Sequence, residues 1–488
     1  MILYAFSALQ FMPPSDGGTE IKIFLKGFYI TMNTALNNFL SSVKDREIAV
    51  IGIGISNRPL IKYLAENGAH VTACDRRTKE DLGEAADELL KLGVKLELGA
   101  GYIDNLTQDI IFKTPGMRFD VPQLEAARKR GALVTSEMEA FFDVCPCKII
   151  AVTGSDGKTT TTTLINKMLV GAGYNTWLGG NIGNPLLCDT KKMKEDDIVV
   201  LELSSFQLHT MRKSPHIAVI TNISPNHLDM HKDYREYIDA KKNIMLYQKP
   251  GDILVTNSAN EETEKIGKEA KGEQRGFSSK GDALIHLENE CIYYGDEEIL
   301  NIKDIKLPGM HNVENYMAAI GAVHDMVSAD VIRKIAAEFG GVEHRLEFVR
   351  ELDGVSYYNS SIDSSPNRTI NALSVFKNKI ILIAGGKDKG IPYDAIGEPI
   401  EEHVKTLVLI GATSDKIYDA VMKNAESKGT KSAVKILRAD SYEQAVGMAR
   451  ENAQKGDVVL LSPASTSFDR FRNFEERGRL FKKIVNEL

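Results

Sequence analysis

Long apolar runs are missing from this 488-residue chain. A membrane-spanning helix needs roughly 20 consecutive apolar residues, so stable membrane insertion is not expected. Ile2 to Met12 is apolar but short, has no basic residue before it, and is broken by Pro13, Pro14, Gly17 and Gly18. It reads neither as a span nor as a signal peptide. An excess of positive charge is missing too. The 60 Lys and Arg against 67 Asp and Glu leave a net charge of -7, which gives no electrostatic case for a nucleic-acid partner. Cysteine is scarce: Cys74, Cys145, Cys147, Cys188 and Cys291 have no metal-ligand spacing, and their odd count argues for a reducing, cytoplasmic setting. Cys145-Pro146-Cys147 reads as a loop between domains. No repeat with a period of 20–50 residues is visible.

What remains is an ordinary globular composition, 43% hydrophobic and 26% charged. The length predicts about three domains. Residues 1–31 read as a dispensable extension, because a conventional lead-in starts at Met32. The domains are then expected at 32–143, 144–342 and 343–488.

The organising stretch is Lys148 to Leu169. An Ile- and Val-rich strand runs into Gly154-Ser155-Asp156-Gly157, and Lys158-Thr159-Thr160 opens an amphipathic helix. Strand, glycine loop, Lys-Thr and helix are the parts of a phosphate cradle. The loop is shorter than usual, with only two residues between its glycines. Downstream, a Gly/Asn-rich loop surrounds Asn181. Buried strands at 197–201 and 217–221 end in Glu202 and in a loop carrying His227. A carboxylate after such a strand is where a phosphate-loop enzyme holds Mg²⁺. A lone loop histidine is more often structural, and Lys241 alone reads as a surface lysine.

Before this stretch, Glu47 to Ile51, Gly52-Ile53-Gly54 and a second strand ending at Asp75 form a βαβ unit. It is similar to a dinucleotide fingerprint, with Asn57 in place of the third glycine. NAD, another nucleotide, a nucleotide-sugar and a plain α/β turn all fit that pattern. Lys113-Thr114-Pro115-Gly116 reads as a turn at a strand's carboxyl end, and Glu137 to Asp143 as a hinge segment. Glu261 to Gln274 is charged and reads as solvated. After Glu343-His344-Arg345 a further doubly wound α/β domain is expected, with buried strands at 355–359, 380–384, 406–410 and 458–461. The fold class is therefore α/β: three domains, each a mainly parallel sheet flanked by helices.

The motifs TGSDGKTT, GGNIG, ELSSFQL, NHLDMH, LPGMHNVEN and HRLE follow one another, and the chain closes with LSPASTSFDRFRNFEERG. In that order they resemble the Mur ligases of peptidoglycan synthesis, over roughly residues 45–488. ELSSFQL and the last motif resemble the D-glutamate-adding branch. The resemblance implies an ATP-dependent amide ligase, in which a carboxylate of UDP-N-acetylmuramoyl-L-alanine becomes an acyl phosphate that the amine of D-glutamate attacks. It implies ATP contacts at Gly154, Ser155, Asp156, Gly157, Lys158, Thr159, Thr160, Asn257 and Arg345. Thr159 and Glu202 would hold one Mg²⁺, and His227 and a carbamylated Lys241 a second, with Mn²⁺ as a substitute. Lys158, His227 and Lys241 would be catalytic. The UDP-sugar would meet Ser56, Asp75, Arg76, Thr114, Pro115, Gly116 and Asn181. D-Glutamate would meet Ser364, Lys389, Ser467 and Phe474. A monomer is expected. The chain departs from the family pattern at Asp156, Asn226, Ser360 and Ile362. Rival readings are another amide ligase of the superfamily, a nucleotide-binding module without catalysis, and a dehydrogenase resting on Gly52 and Gly54.

Overall fold

The computed structural model describes residues 20–488 apart from 26–27, 55–56, 183–184, 226–230, 308 and 389–391, with residues 20–33 described by backbone alone. The chain forms two compact units, Met1–Glu338 and Phe339–Leu488. The first opens with an antiparallel hairpin, Glu20–Leu25 with Phe28–Asn33.

A five-stranded parallel sheet follows, in the order Lys95–Leu98, His70–Asp75, Glu47–Ile51, Ile110–Phe112, Leu133–Thr135. Its central strands are covered on both faces, which explains their unbroken apolar sequence. The chain goes from Glu47–Ile51 to one neighbour and later returns to the other. That reversal opens a crevice at the carboxyl ends of the strands. Gly52 lies there at φ +92, and a Cβ on it would come to 3.2 Å from Thr114 Cβ. Asn57, in the third glycine's place, donates from Nδ2 to Ile51 O (2.9 Å) and so ties the start of its helix to the end of the strand.

The expected hinge at 137–143 is instead a helix, Glu137–Val144. Ser136 Oγ accepts from the Glu139 N–H and caps it, while Met138, Phe141 and Val144 are buried at three-residue spacing. Glu261 to Gln274 is likewise more ordered than its charge implies. Asn260 caps a helix over Glu261–Gly267, which buries Thr263 and Ile266, and a strand at Glu273–Ser278 follows. In Glu261–Gly267 the only buried residues are Thr263, Ile266 and Gly267, too little apolar spacing to register in a charged stretch.

The second sheet of this unit has nine strands, parallel except for the hairpins at Ile285–Glu288, Cys291–Tyr294 and Glu297–Asn301. Lys148–Thr153 lies between Ile198–Glu202 and Ile217–Ile220, and all three run the same way. Their carboxyl ends therefore open on one edge.

The second unit carries a six-stranded sheet. Glu347–Leu352 is its antiparallel edge, followed by Val355–Asn359, Val458–Leu461, Ile380–Ala384, Val404–Ile410 and Lys435–Ala439. One face packs Leu373, Ile400, Ile417 and Val421; the other packs Tyr442, Val446, Phe481 and Val485. Helices thus cover both faces, and the three-sheet α/β architecture is the one the sequence predicts.

Candidate active site

The phosphate loop is built by exclusion. Gly154 has φ +149, and a Cβ on it would overlap Thr221 Oγ1; Gly157 has φ +77, and a Cβ there would overlap Asn315 Oδ1. Only glycine meets both demands. Gly157 then caps the helix Lys158–Gly171, whose N-terminus offers positive dipole to an anion. Lys158 Nζ donates to Gly154 O (2.9 Å) and Ser155 O (2.8 Å). Both are neutral acceptors, weaker partners than a phosphate oxygen. Thr159 is buried in the first helical turn and Thr160 is half-buried. Ser155 Oγ meets Tyr237 OH at 2.9 Å and accepts from the Ser224 N–H (2.9 Å).

Asp156 has its backbone clamped while its side chain is exposed. Its N–H donates to Asn222 Oδ1 (2.9 Å), and its carbonyl accepts from Thr221 Oγ1 (2.6 Å). Water screens the carboxylate, which is why it is tolerated beside a phosphate cradle.

Glu202 ends the neighbouring strand in register with Val152. It is buried; Oε1 accepts from Asn181 Nδ2 (2.6 Å), while Oε2 has no partner among the described residues. A buried carboxylate oxygen left unsatisfied is costly, and a hard cation satisfies it. The open Glu202 oxygen is therefore a donor of the kind Mg²⁺ takes. Lys241 reaches the same loop from the helix Tyr234–Leu246. It is 1% exposed, and its Nζ donates to Gly154 O (2.7 Å) and stands 4.6 Å from the Tyr237 ring centre. Burial, and then the charge of Lys158, hold its amine well below the ordinary lysine range. The Asp156 carboxylate acts the other way. Asn257 ends a further strand, buried, with Oδ1 accepting from the Ala259 N–H (2.9 Å).

At the crevice of the first sheet, Asp75 Oδ2 accepts from the Ile53 N–H (2.7 Å). The cation that holds it is Arg77, through Nη2 to Oδ2 (2.8 Å) and Nε to Oδ1 (3.0 Å). Burial opposes ionisation of Asp75, but these hydrogen bonds prevail and its carboxyl sits at about 2. Arg76 is exposed. Thr114, Pro115 and Gly116 follow the strand Ile110–Phe112, opposite Gly52. Arg118 bridges the two sheets of this unit. It binds Asp120 (2.8 and 2.7 Å) beside it and Glu236 (3.0 and 3.0 Å) on the Lys241 helix.

In the second unit Arg345 is exposed, and its neighbour His344 is buried at φ +64. Phe474 opens the last helix and meets the His344 ring edge-on at 6.0 Å. Ser467 is buried and Ser364 half-buried. A fully buried Arg477 joins the loops around them. It donates to Ser361 Oγ (3.0 Å), Ser361 O (2.7 Å) and Ser465 O (3.0 Å). Ser56, Asn226, His227 and Lys389 lie outside the described residues.

The structure thus brings Gly154, Ser155, Gly157, Lys158, Glu202, Asn181 and Lys241 to one sheet edge. It also shows residues that pattern reading passed over: Arg77, Asn222, Tyr237, Arg477 and Asn315, whose Oδ1 accepts from Thr161 Oγ1 (3.2 Å). Asn315 and Arg477 stood inside quoted motifs, which was the available signal.

Comparison with known proteins agrees with this construction. Residues 46–136 match the MurD-like N-terminal domain of Mur ligases, 152–323 the Mur ligase middle domain, and 344–465 the glutamate ligase domain. The UDP-N-acetylmuramoylalanine--D-glutamate ligase of Acetivibrio thermocellus is 53% identical over 94% of this chain and 100% of its own length. That of Clostridium perfringens is 50% identical with the same coverage. Among solved structures, UDP-N-acetylmuramate-alanine ligase MurC from Thermotoga maritima shares the fold at a TM-score of 0.54 and 20% identity, over 91% of this chain and 99% of that one. MurF from Acinetobacter baumannii does so at 0.52 and 17%, over 92% of each. With matches of this identity along 94% of its length, the chain belongs to the Mur ligase family, among the UDP-N-acetylmuramoylalanine--D-glutamate ligases.

Proposed function

We propose that the protein joins D-glutamate to UDP-N-acetylmuramoyl-L-alanine with hydrolysis of ATP to ADP and phosphate, as a cytoplasmic monomer. Among the described residues no helix is long and apolar enough to cross a membrane. One observation carries the chemistry: the unpartnered Glu202 oxygen beside a phosphate loop that receives two lysines. The substrates follow from the relatives' names.

A carboxylate is a poor electrophile. Its oxygen takes the γ-phosphoryl group, ADP leaves, and the acyl carbon acquires a leaving group. The D-glutamate nitrogen then forms the amide bond, phosphate departs and a proton is released. The protein's share is positioning and charge neutralisation. Lys158 turns from neutral carbonyls to phosphate oxygens. Glu202 and Thr159 would hold Mg²⁺, which would supply charge neutralisation at the transferring group. His227 would serve a second cation. Burial lowers the proton affinity of Lys241 and so favours the free amine, which can add to CO₂; as a carbamate it would offer oxygen ligands where an ammonium would repel a metal. Asp75 and Thr114 to Gly116 take the UDP-sugar. Ser364, Lys389, Ser467 and Phe474 take the amino acid.

The test is phosphate release with ATP, Mg²⁺, UDP-N-acetylmuramoyl-L-alanine and a panel of amino acids. D-Glutamate should drive turnover far above L-glutamate, L-alanine or L-lysine. Turnover indifferent to the amino acid, or none with D-glutamate, overturns the reading.

A further inference from the structure

Lys113 is a buried cation beside the crevice of the first sheet with no part in the chemistry above. Lys113 follows the strand Ile110–Phe112, directly before Thr114-Pro115-Gly116, and is 3% exposed. Its backbone N–H is consumed by Thr135 O (2.8 Å). Its ammonium makes no hydrogen bond to a described residue. It lines a pocket between the two sheets of the first unit, with Arg118, Phe119, Phe206, His209 and His231.

The other charges of this pocket are already matched. Arg118 is held by Asp120 and Glu236. His231 Nε2 meets Ser205 Oγ at 2.9 Å, and His209 faces Glu236 Oε1 at 3.7 Å. Both imidazoles are held below the ordinary histidine range, burial being the first cause, so they bring no net charge at neutral pH. Glu139 attracts Lys113 from farther away, but its carboxylate accepts from Ser136 Oγ (2.8 Å) at the start of its own helix. A buried ammonium without an acceptor is unfavourable, and in this pocket burial lowers its proton affinity. An anion arriving in the pocket reverses both effects.

We propose that Lys113 is a specificity-determining residue whose ammonium takes an oxyanion of the UDP-sugar substrate. This rests on the reading above. Two groups of that substrate share the chemistry, the diphosphate and the carboxylate of the muramoyl-alanine arm. The arrangement makes the pocket selective: an uncharged sugar would leave Lys113 buried and unmatched.

The experiment uses the full chain with Lys113→Met, which keeps the aliphatic stem and removes the charge, Lys113→Arg, and Glu139→Gln as a control. KM for each of the three substrates is measured by phosphate release. Binding of UDP-N-acetylglucosamine and of UDP-N-acetylmuramoyl-L-alanine is measured by calorimetry. Lys113→Met should raise KM for the UDP-sugar about 10- to 100-fold, the range of a hydrogen bond to a charged group, with KM for ATP and D-glutamate at wild-type values. Lys113→Arg should recover part of that loss, and Glu139→Gln should not reproduce it. If UDP-N-acetylglucosamine loses affinity to the same degree, the diphosphate is the partner; if only the full substrate does, the carboxylate is. An unchanged KM and unchanged calorimetric affinity overturn the proposal. So does a loss shared by all three substrates with a lowered Tm, the mark of a merely structural lysine. Failure of D-glutamate to drive turnover overturns the reaction assigned above, while calorimetry still decides the role of Lys113.

Discussion

Two buried cations, one in each unit, are handled in opposite ways. Lys241 is 1% exposed and Arg477 0%. Lys241 has one carbonyl oxygen, Gly154 O, and the face of Tyr237. Arg477 has three oxygens from two loops. Burial lowers the proton affinity of both. A guanidinium stays charged regardless; for an amine, burial shifts the balance toward the neutral form. The lysine is therefore available for chemistry, and the arginine is a fixed part of the fold. Burial alone does not mark a catalytic group: the number of acceptors around it decides.

The largest effect is expected at Lys241. Lys241→Ala should lower ligation by at least about 10²- to 10³-fold, the scale seen on removing one electrostatic contact at a reacting centre. Added formate or acetate should restore part of it, since either supplies the oxygens of the missing carbamate. A mutant at near-normal rate, or one that no small carboxylate rescues, would refute the carbamate role. The next effect is expected at Arg477 and is of another kind. Arg477→Met leaves Ser361 O and Ser465 O without the donor they have here, costing roughly 2–6 kcal/mol at about 1–3 kcal/mol for each lost partner. Denaturant unfolding measures it. A change under about 1 kcal/mol would show that the arginine is not the fastener its contacts imply.

The same contrast explains what the sequence made legible. The strands and the phosphate-loop helix were readable because their apolar spacing repeats at the period of the element. Glu202 was readable because a strand ends on it. Arg77 was not: Arg76 and Arg77 are equivalent in pattern, and only the turn after the strand decides which side chain comes back to Asp75. Lys241 read as a surface lysine because its helix is full of charges; its burial comes from packing against the loop of another strand. Arg477 was hidden for the converse reason, since an arginine among Glu475, Glu476 and Arg479 resembles a solvated face. The helix Glu137–Val144 was missed because eight residues show too little periodicity, and its cap, Ser136, was the signal to use.

The smallest effect separates the two networks by pH. Asp363 is 6% exposed, its Oδ2 accepts from Ser462 Oγ (2.8 Å), and it is one of the more distant counter-charges of Arg477. Burial pushes its carboxyl up from 3.8 to about 6. A carboxyl whose pKa is raised on folding binds its proton more tightly in the native state, so its contribution to stability is greatest at low pH. That contribution declines once pH exceeds 3.8 and is fully lost above about 6. The whole swing is at most about 3 kcal/mol at about 1.4 kcal/mol per unit. Asp363→Asn keeps an acceptor for Ser462 and removes the ionisation. Its Tm relative to the parent should therefore rise between pH 4 and pH 8, with most of the rise complete by pH 7. A constant difference across that range would mean that Asp363 is ionised throughout and that burial does not raise its carboxyl, leaving a full negative charge near Arg477.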